Sequence, residues 1–274
     1  MKVGKFLASH KQFTIFFVLA IGIIGIAIFA PWIAPKDPCE AIMANSLKQP
    51  GGEYIWGTDR LGRDLFSRVL FGTRSSLVMT LYLVLTVFIV GTVLGIVAGF
   101  FGGAIDQMIM RLADMMMSFP GLVLAIAIAG IMGADMKNAV IAIASVTWPK
   151  YARLARSYVL KIKGSLYVEA ARLTGAKTWK ILMVYILPNM IMPMVITAST
   201  DIGAMMMEIA GLSFLGFGAK PPTPEWGLML NEGRTYISMA LWLMIYPGLA
   251  ITITVVVFNM LGDSVRDIFE EQKD

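Results

Sequence analysis

The sequence predicts an all-α protein that crosses a membrane about six times as helices. Two observations carry this prediction. Of the 274 residues, 57% are hydrophobic and only 15% are charged, with a mean hydropathy of +0.73, whereas soluble domains carry about 25% charged residues. Long apolar stretches also recur between polar segments, and about 20 apolar residues are enough to cross a bilayer core as a helix.

Charge and rare residues argue against several other classes of protein. The positive charge, a formal net +5, lies beside the apolar stretches rather than along one helix face, which argues against nucleic acid as a partner. Cys39 is the only cysteine and His10 the only histidine. The chain can therefore form no internal disulfide and no Cys/His metal site. We predict that it binds no metal and no cofactor of its own.

The first predicted span covers residues 13–33. It is long for a signal peptide, and prolines stand where a signal peptidase would have to cut, so we expect an uncleaved helix. Residues 34–76 are polar and rich in proline and glycine. The chain is thus predicted to divide into an N-terminal anchor with an extracytoplasmic segment (1–76) and a membrane core (77–274).

The extracytoplasmic segment contains the sequence GTDRLGRD at residues 57–64. Asp59 is a residue type that caps helices, and we expect it to begin one here. The side chains of Arg63, Asp64 and Arg68 are expected to form ion pairs at the membrane surface. These residues alone do not identify a function.

The second predicted span, residues 77–101, carries Gly91, Gly95 and Gly99. Residues four apart lie on the same face of a helix, and glycines on such a face let two membrane helices approach closely. We therefore predict that this face packs against another helix.

The remaining spans contain prolines or are short. The third, fourth, fifth and sixth are predicted at residues 113–132, 139–148, 181–207 and 242–261. The fourth run is short, and we expect its helix to continue past Pro149. Pro120 is expected to lie within the third span. Pro188 and Pro193 are expected to interrupt the fifth span. Many Lys and Arg residues lie between spans four and five, which places that loop and both termini in the cytoplasm.

The loop between spans four and five contains a short predicted helix around Glu169. Gly175 suits the left-handed position that ends a helix, and Glu169 and Arg172 can pair one turn apart. From spacing alone two interpretations remain open. The segment is either a basic helix lying on the membrane surface or a docking helix that transmits force from a soluble partner.

This loop resembles the EAA loop of ATP-binding-cassette (ABC) importer permeases. Tyr185 is a departure, since the family usually has isoleucine there. The GTDRLGRD sequence and the closing pattern of Asp263, Arg266 and Asp267 are similar to the "C" subunit of the dipeptide, oligopeptide and nickel permeases, and the resemblance covers residues 57–267. The loop residues that match are Glu169, Ala170, Ala171, Arg172, Gly175, Leu187 and Pro188.

The resemblance implies a type I ABC importer permease fold and a non-catalytic chain. The implied partners are a second permease, two cytoplasmic ATPases that bind ATP and Mg, an extracytoplasmic substrate-binding protein and membrane lipid. The implied location is the cytoplasmic membrane of a bacterium or archaeon, and the implied cargo is a nickel chelate or a di- or oligopeptide. Residues 201–216 look slightly closer to the nickel branch.

Asp201, Met205 and Glu208 are the candidate residues of a translocation path. The two acidic residues are seven apart and are predicted to share a helix face near the outer end of the fifth span. Ionisable groups at membrane depth are usually functional, although a solvated position at the interface is the alternative. Met205 can offer a soft thioether contact or simply fill a gap in helix packing.

Two other classes of protein stay open as alternatives. A secondary transporter would show internal repeats and paired broken helices, and no convincing repeat is present. A membrane-embedded hydrolase would need a nucleophile and a base. Residues 211–216 resemble a nucleophile elbow but contain one residue too many. Residues 175–178 resemble the end of a phosphate-binding loop but lack its earlier glycine, which argues against nucleotide binding by this chain.

Overall fold

The computed structural model describes residues 10–271, and every regular element in that range is a helix. Among these residues four helices are long and apolar enough to cross a membrane, or five if one bent pair is a single span. The prediction of an all-α membrane fold is confirmed. The helices are α1 (Lys11–Ile33), α2 (Leu65–Phe101), α3 (Gly103–Met117), α4 (Gly121–Met132), α5 (Met136–Lys163), α6 (Leu166–Leu173), α7 (Thr178–Thr200), α8 (Ile202–Phe214), α9 (Trp226–Gly233) and α10 (Trp242–Glu271).

Helix α1 is the predicted first span. It packs against α2 and α10 through its small residues Ala20, Ala27 and Ala30, which are buried. Most of its large apolar side chains point outward, as expected of a helix whose outer surface meets lipid.

Helix α2 begins at Leu65, twelve residues before the predicted start of the second span. Asp64 caps it by accepting a hydrogen bond of 2.8 Å from the amide of Ser67. The prediction that Asp59 caps a helix is therefore wrong, because its carboxylate accepts from the amides of Leu61 and Arg63 instead. The predicted domain boundary after residue 76 falls inside this continuous helix.

Gly91, Gly95 and Gly99 of α2 lie against α5. A Cβ atom at Gly91 would collide with Tyr151, and one at Gly95 would lie 2.6 Å from the Cβ of Ala155. No other pair of helices in the described structure makes as extensive a contact as α2 and α5. The glycines are what allow the two backbones to approach this closely.

The third predicted span is bent sharply rather than straight. Helices α3 and α4 meet at 94°, and the break lies at Ser118–Pro120, where Pro120 precedes α4. Proline disfavours helical backbone in the residue before it, which accounts for the position of the bend.

The Asp106 carboxylate on α3 accepts hydrogen bonds of 2.5 and 2.6 Å from Arg156 on α5.

Helix α5 runs through Pro149 without a break, as predicted. It is 28 residues long, but it is not among the helices that qualify as spans by composition. Lys150, Arg153 and Arg156 lie within it and lower its hydropathy. The predicted count of about six spans is therefore not reached by length and composition alone.

Helix α7 passes through both prolines that were predicted to interrupt it. A π-helical stretch, Ile181–Ile186, precedes Pro188, and its wider turns accommodate a proline that cannot donate a backbone hydrogen bond. Pro193 lies inside regular α-helix. The actual break is at Asp201, which separates α7 from α8, so the fifth span does not extend to residue 207.

The segments before α2 and after α8 meet at one end of the molecule. Arg63 and Arg68 are both buried and both pair with Asp59 and with Glu232 of α9. Asp64 takes no part in these ion pairs, contrary to the prediction. Nearby, Glu225 caps α9, and burial raises the pKa of its carboxyl despite opposing hydrogen bonds from backbone amides.

Candidate coupling surface and translocation path

Helix α6 is a short amphipathic helix between α5 and α7. Val168 and Ala171 are its buried residues, and it packs against α5 and the π-helical stretch of α7. The ring of Tyr167 lies 6.3 Å from that of Tyr185, so the tyrosine that departs from the EAA pattern helps to hold α6 in place. One face of α6 is thereby fixed to the membrane helices and the other is free.

Gly175 ends α6 with a left-handed backbone, φ +79°. Its amide donates to the carbonyl of Arg172, and the next amide, of Ala176, donates to Ala171, each at 2.9 Å. This pair of bonds is the Schellman arrangement that closes a helix. A Cβ at Gly175 would meet nothing within 4 Å, so the requirement for glycine comes from the backbone conformation and not from crowding.

The polar residues of the EAA pattern point outward. Glu169, Ala170 and Arg172 are exposed, and the described residues include no ion pair between Glu169 and Arg172. Leu187 and Pro188 lie farther along, where α7 returns to regular α-helix. The exposed side chains of α6 are therefore available to another molecule.

Three exposed apolar residues around α6 were not singled out in the sequence. Leu166 is 84% exposed, Leu173 is 90% exposed and Trp179 is 68% exposed. Leu166 is the first residue of α6, Leu173 is its last residue, and Trp179 lies after it, at the start of α7. The available signal was the presence of large apolar residues in an otherwise basic loop. A cluster of this kind marks an interaction surface.

Asp201 connects the break between α7 and α8 to the middle of α5. Its two carboxylate oxygens lie 2.7 and 2.6 Å from the Nζ atom of Lys150. One of them also accepts a 3.0 Å hydrogen bond from the hydroxyl of Tyr151. Lys150 and Tyr151, the two partners of Asp201, were not predicted from the sequence.

A polar cavity of about 830 Å³ opens beside Asp201, between α5, α7 and α10. Its lining carries charges of both signs. The charged residues of this wall are Lys150, Arg153, Asp201, Asp263, Arg266 and Glu270. Two of the residues in the closing pattern of the sequence, Asp263 and Arg266, thus face the same space as a candidate path residue.

Glu208 lines a second, smaller cavity of about 190 Å³ together with Lys150. Its Oε2 atom is buried and has no hydrogen-bond partner among the described residues. Asp201 stands at the N-cap position of α8 and Glu208 lies seven residues later in that helix, but the two carboxylates line different cavities. Met205 is buried in the hydrophobic core and lines neither cavity.

Comparison with known proteins identifies the family of this chain. Residues 91–273 match the family described as binding-protein-dependent transport system inner membrane component. The chain belongs to this family. It is a permease subunit of an ABC importer, and the matched region includes α6 and all the residues that line the two cavities.

Relatives of this permease that carry a functional name are similar over nearly their whole length. The dipeptide transport system permease protein DppC of Alkalihalophilus pseudofirmus is 40% identical over 97% of this chain and 88% of its own. The glutathione transport system permease protein GsiD of Pectobacterium atrosepticum is 43% identical, also over 97% of this chain and 88% of its own. The nickel transport system permease protein NikC of Escherichia coli is 39% identical over 96% of this chain and 95% of its own.

Among solved structures, the permease resembles a chain of the MetNI methionine ABC transporter. The TM-score is 0.59 at 19% identity, over 74% of this chain and 97% of that chain. This likeness concerns the fold, and it confirms the predicted ABC importer permease architecture.

Proposed function

We propose that this permease couples ATP hydrolysis by two cytoplasmic ATPases to movement of cargo, with α6 as the docking helix. The observation that carries the proposal is the exposed face of α6. It presents Leu166 and Leu173 to solvent on a helix whose other face is buried against α5 and α7. Burying such a surface against a groove of a partner provides the hydrophobic contact that docking needs.

In this proposal the permease itself is not catalytic. ATP and Mg are bound by the partner ATPases, a second permease completes the membrane domain as a heterodimer, and an extracytoplasmic binding protein delivers the cargo. When the ATPases close, α6 moves as a rigid body. Because α6 lies between α5 and α7 in the chain, its motion displaces both helices that wall the larger cavity, which is how access to the cavity alternates.

The positions of the chain ends support a common side for both termini and α6. The start of α1 and the end of α10 line a common cavity, and the end of α10 also faces the C-terminal half of α5, which leads to α6. We infer that both termini and α6 lie on the cytoplasmic side of the membrane of a bacterium or archaeon. The buried ionic cluster around Arg63 and Arg68 then lies on the extracytoplasmic side.

The proposed cargo is a di- or oligopeptide or a nickel chelate. Relatives are named for dipeptide, glutathione and nickel transport. The larger cavity suits a cargo that carries both charges, since its wall offers cationic and anionic side chains. Competition between labelled dipeptide, glutathione and nickel chelate for uptake into vesicles would separate these cargoes.

Co-purification tests the central proposal. The tagged permease, expressed with the ATPases, second permease and binding protein of its own operon, should bring down both ATPases and support ATP-dependent uptake in reconstituted vesicles. Uptake by the lone chain without ATPases would instead favour a secondary transporter.

A further inference from the structure

Lys150 stands where the two cavities adjoin. It lines the larger cavity together with Asp201 and the smaller one together with Glu208. It is the residue that the two linings have in common. One cation therefore faces two spaces, with Asp201 beside it in the larger cavity and Glu208 in the smaller one.

The ion pair between Lys150 and Asp201 fastens together the helices on either side of α6. Lys150 lies in α5, which precedes α6, and Asp201 lies at the end of α7, which follows it. Tyr151 reinforces the link with its hydroxyl. A displacement of α6 that separates α5 from α7 must act on this pair.

Glu208 is the unsatisfied member of the group. Its Oε2 atom is buried without a hydrogen-bond partner among residues 10–271, and leaving a buried polar atom unsatisfied is costly. Lys150 and Glu208 are the charged residues that line the smaller cavity. Pairing with Lys150 would satisfy Glu208, while Asp201 would keep the hydroxyl of Tyr151.

We propose that Lys150 is an ionic latch with two alternative partners. It pairs with Asp201 in this conformation, and it pairs with Glu208 instead when the larger cavity closes during the transport cycle. This inference rests on the proposed alternating-access function. Asp201 and Glu208 lie seven residues apart, which is about 10 Å of helical rise, so the exchange accompanies a movement of α8 along α5. Lysine suits this role because its charge is compact and its stem flexible.

The test uses the complete transporter in lipid nanodiscs. Ser157 lines the larger cavity, and a Ser157→Cys substitution in a Cys39→Ser background provides a single labelling site in this chain. The rate of its reaction with a water-soluble maleimide is measured without nucleotide and with a non-hydrolysable ATP analogue. In the chain that is otherwise unchanged, nucleotide should lower this rate.

The two carboxylates should have opposite effects on that rate. Asp201→Asn removes the carboxylate that holds Lys150 in this conformation, which favours pairing with Glu208, so the rate without nucleotide should fall about threefold or more toward the nucleotide-bound value. Glu208→Gln should leave the rate without nucleotide unchanged and abolish the protection by nucleotide. Lys137→Gln, an exposed lysine near the start of the same helix, should behave like the unsubstituted chain.

Equal responses of Asp201→Asn and Glu208→Gln, or no response of either, would overturn the latch. If Asp201→Asn fails to assemble, the Glu208→Gln variant still decides. Full protection of the Ser157→Cys site from the maleimide by nucleotide in the Glu208→Gln variant would contradict the exchange of Lys150 between the two carboxylates. Uptake by the unsubstituted complex distinguishes the two levels of inference. ATP-dependent uptake with unresponsive variants rejects only the latch, whereas absence of any ATP-dependent uptake rejects the proposed function and the latch with it.

Discussion

Arg63 and Glu232 form an ion pair across 169 positions of sequence, with Nη2 of the arginine 2.9 Å from Oε2 of the glutamate. The Arg63 side chain is 1% exposed. Glu232 also accepts from Arg68, so one carboxylate on α9 fixes both the loop before α2 and the first turn of α2. The pair joins the two segments that we place outside the membrane.

Removing one partner of this pair should destabilise the fold strongly. We expect Arg63→Met to lower the free energy of unfolding by about 3–5 kcal/mol, because it removes one of the two buried cations that pair with the carboxylates of Asp59 and Glu232. The exposed neighbour provides a matched control, and Arg60→Met should cost less than about 0.5 kcal/mol. Unfolding of the detergent-solubilised chain by denaturant measures both, and equal midpoints would show that the cluster adds nothing to stability.

The contact between α2 and α5 should be sensitive to side-chain volume. Gly95→Leu places a branched side chain where even a Cβ would lie 2.6 Å from that of Ala155. Overpacking of this kind costs about 1–3 kcal/mol, and we expect lower yield and impaired assembly with the partner subunits.

Val93 of α2 offers the control for this glycine. Its side chain is exposed, so Val93→Leu should be tolerated. Size-exclusion profiles of the two variants, purified in parallel, measure the difference. Normal assembly of Gly95→Leu would mean that α2 and α5 separate more easily than their packing indicates.

These two sites show what the sequence could and could not predict. The glycine face was predictable because its period is local, with glycines at intervals of four on one helix. The partner helix of that face was not predictable, since nothing in residues 77–101 identifies α5. Likewise Arg63 and Arg68 were correctly expected to form ion pairs, but Glu232 lies in a segment that carried no recognisable signal.

The breaks in the helices were predicted least well. Proline at 120 ends a helix, whereas Pro149 and Pro193 lie inside helices and Pro188 follows a π-helical stretch. Neighbouring helices decide whether a proline bends a helix or is accommodated. The break at Asp201 has no proline at all. It coincides with the bonds to Lys150 and Tyr151, which depend on tertiary packing that no local pattern contains.

The orientation of the permease can be measured by single-cysteine labelling. In a Cys39→Ser background, Ser165→Cys should react with a membrane-impermeant maleimide only after the cells are opened, because we place α6 in the cytoplasm. Glu53→Cys, in the loop before α2, should react in intact cells. The reverse pattern would invert the proposed topology.

The exposed apolar end of α6 should be required for docking of the ATPases. We expect Leu173→Asp to leave the fold intact, because the side chain is 90% exposed, while the ATPases no longer co-purify with the permease. Met43 is an exposed methionine in the loop before α2, and Met43→Asp should retain them. If Leu173→Asp also retains both ATPases at normal stoichiometry, the docking surface lies elsewhere.

Coupling, as distinct from docking, can be tested at Gly175. Its backbone is left-handed, a conformation that costs most residues about 1–2 kcal/mol but that asparagine tolerates. Space is not limiting, since a Cβ there would meet nothing within 4 Å. Gly175→Arg should therefore change the end of α6 through the backbone and the added charge, while the membrane helices still insert and pair.

We expect Gly175→Arg to lose cargo uptake, with ATPase activity that no longer responds to loaded binding protein. Gly175→Asn should retain most of both activities, because it keeps the left-handed turn. Glu169→Ala should have a weaker effect than Gly175→Arg, since Glu169 is exposed and unpaired within α6. Uptake and ATPase stimulation measured on the same reconstituted vesicles decide the matter. Full cargo-stimulated transport by Gly175→Arg would reduce α6 to a basic helix lying on the membrane surface.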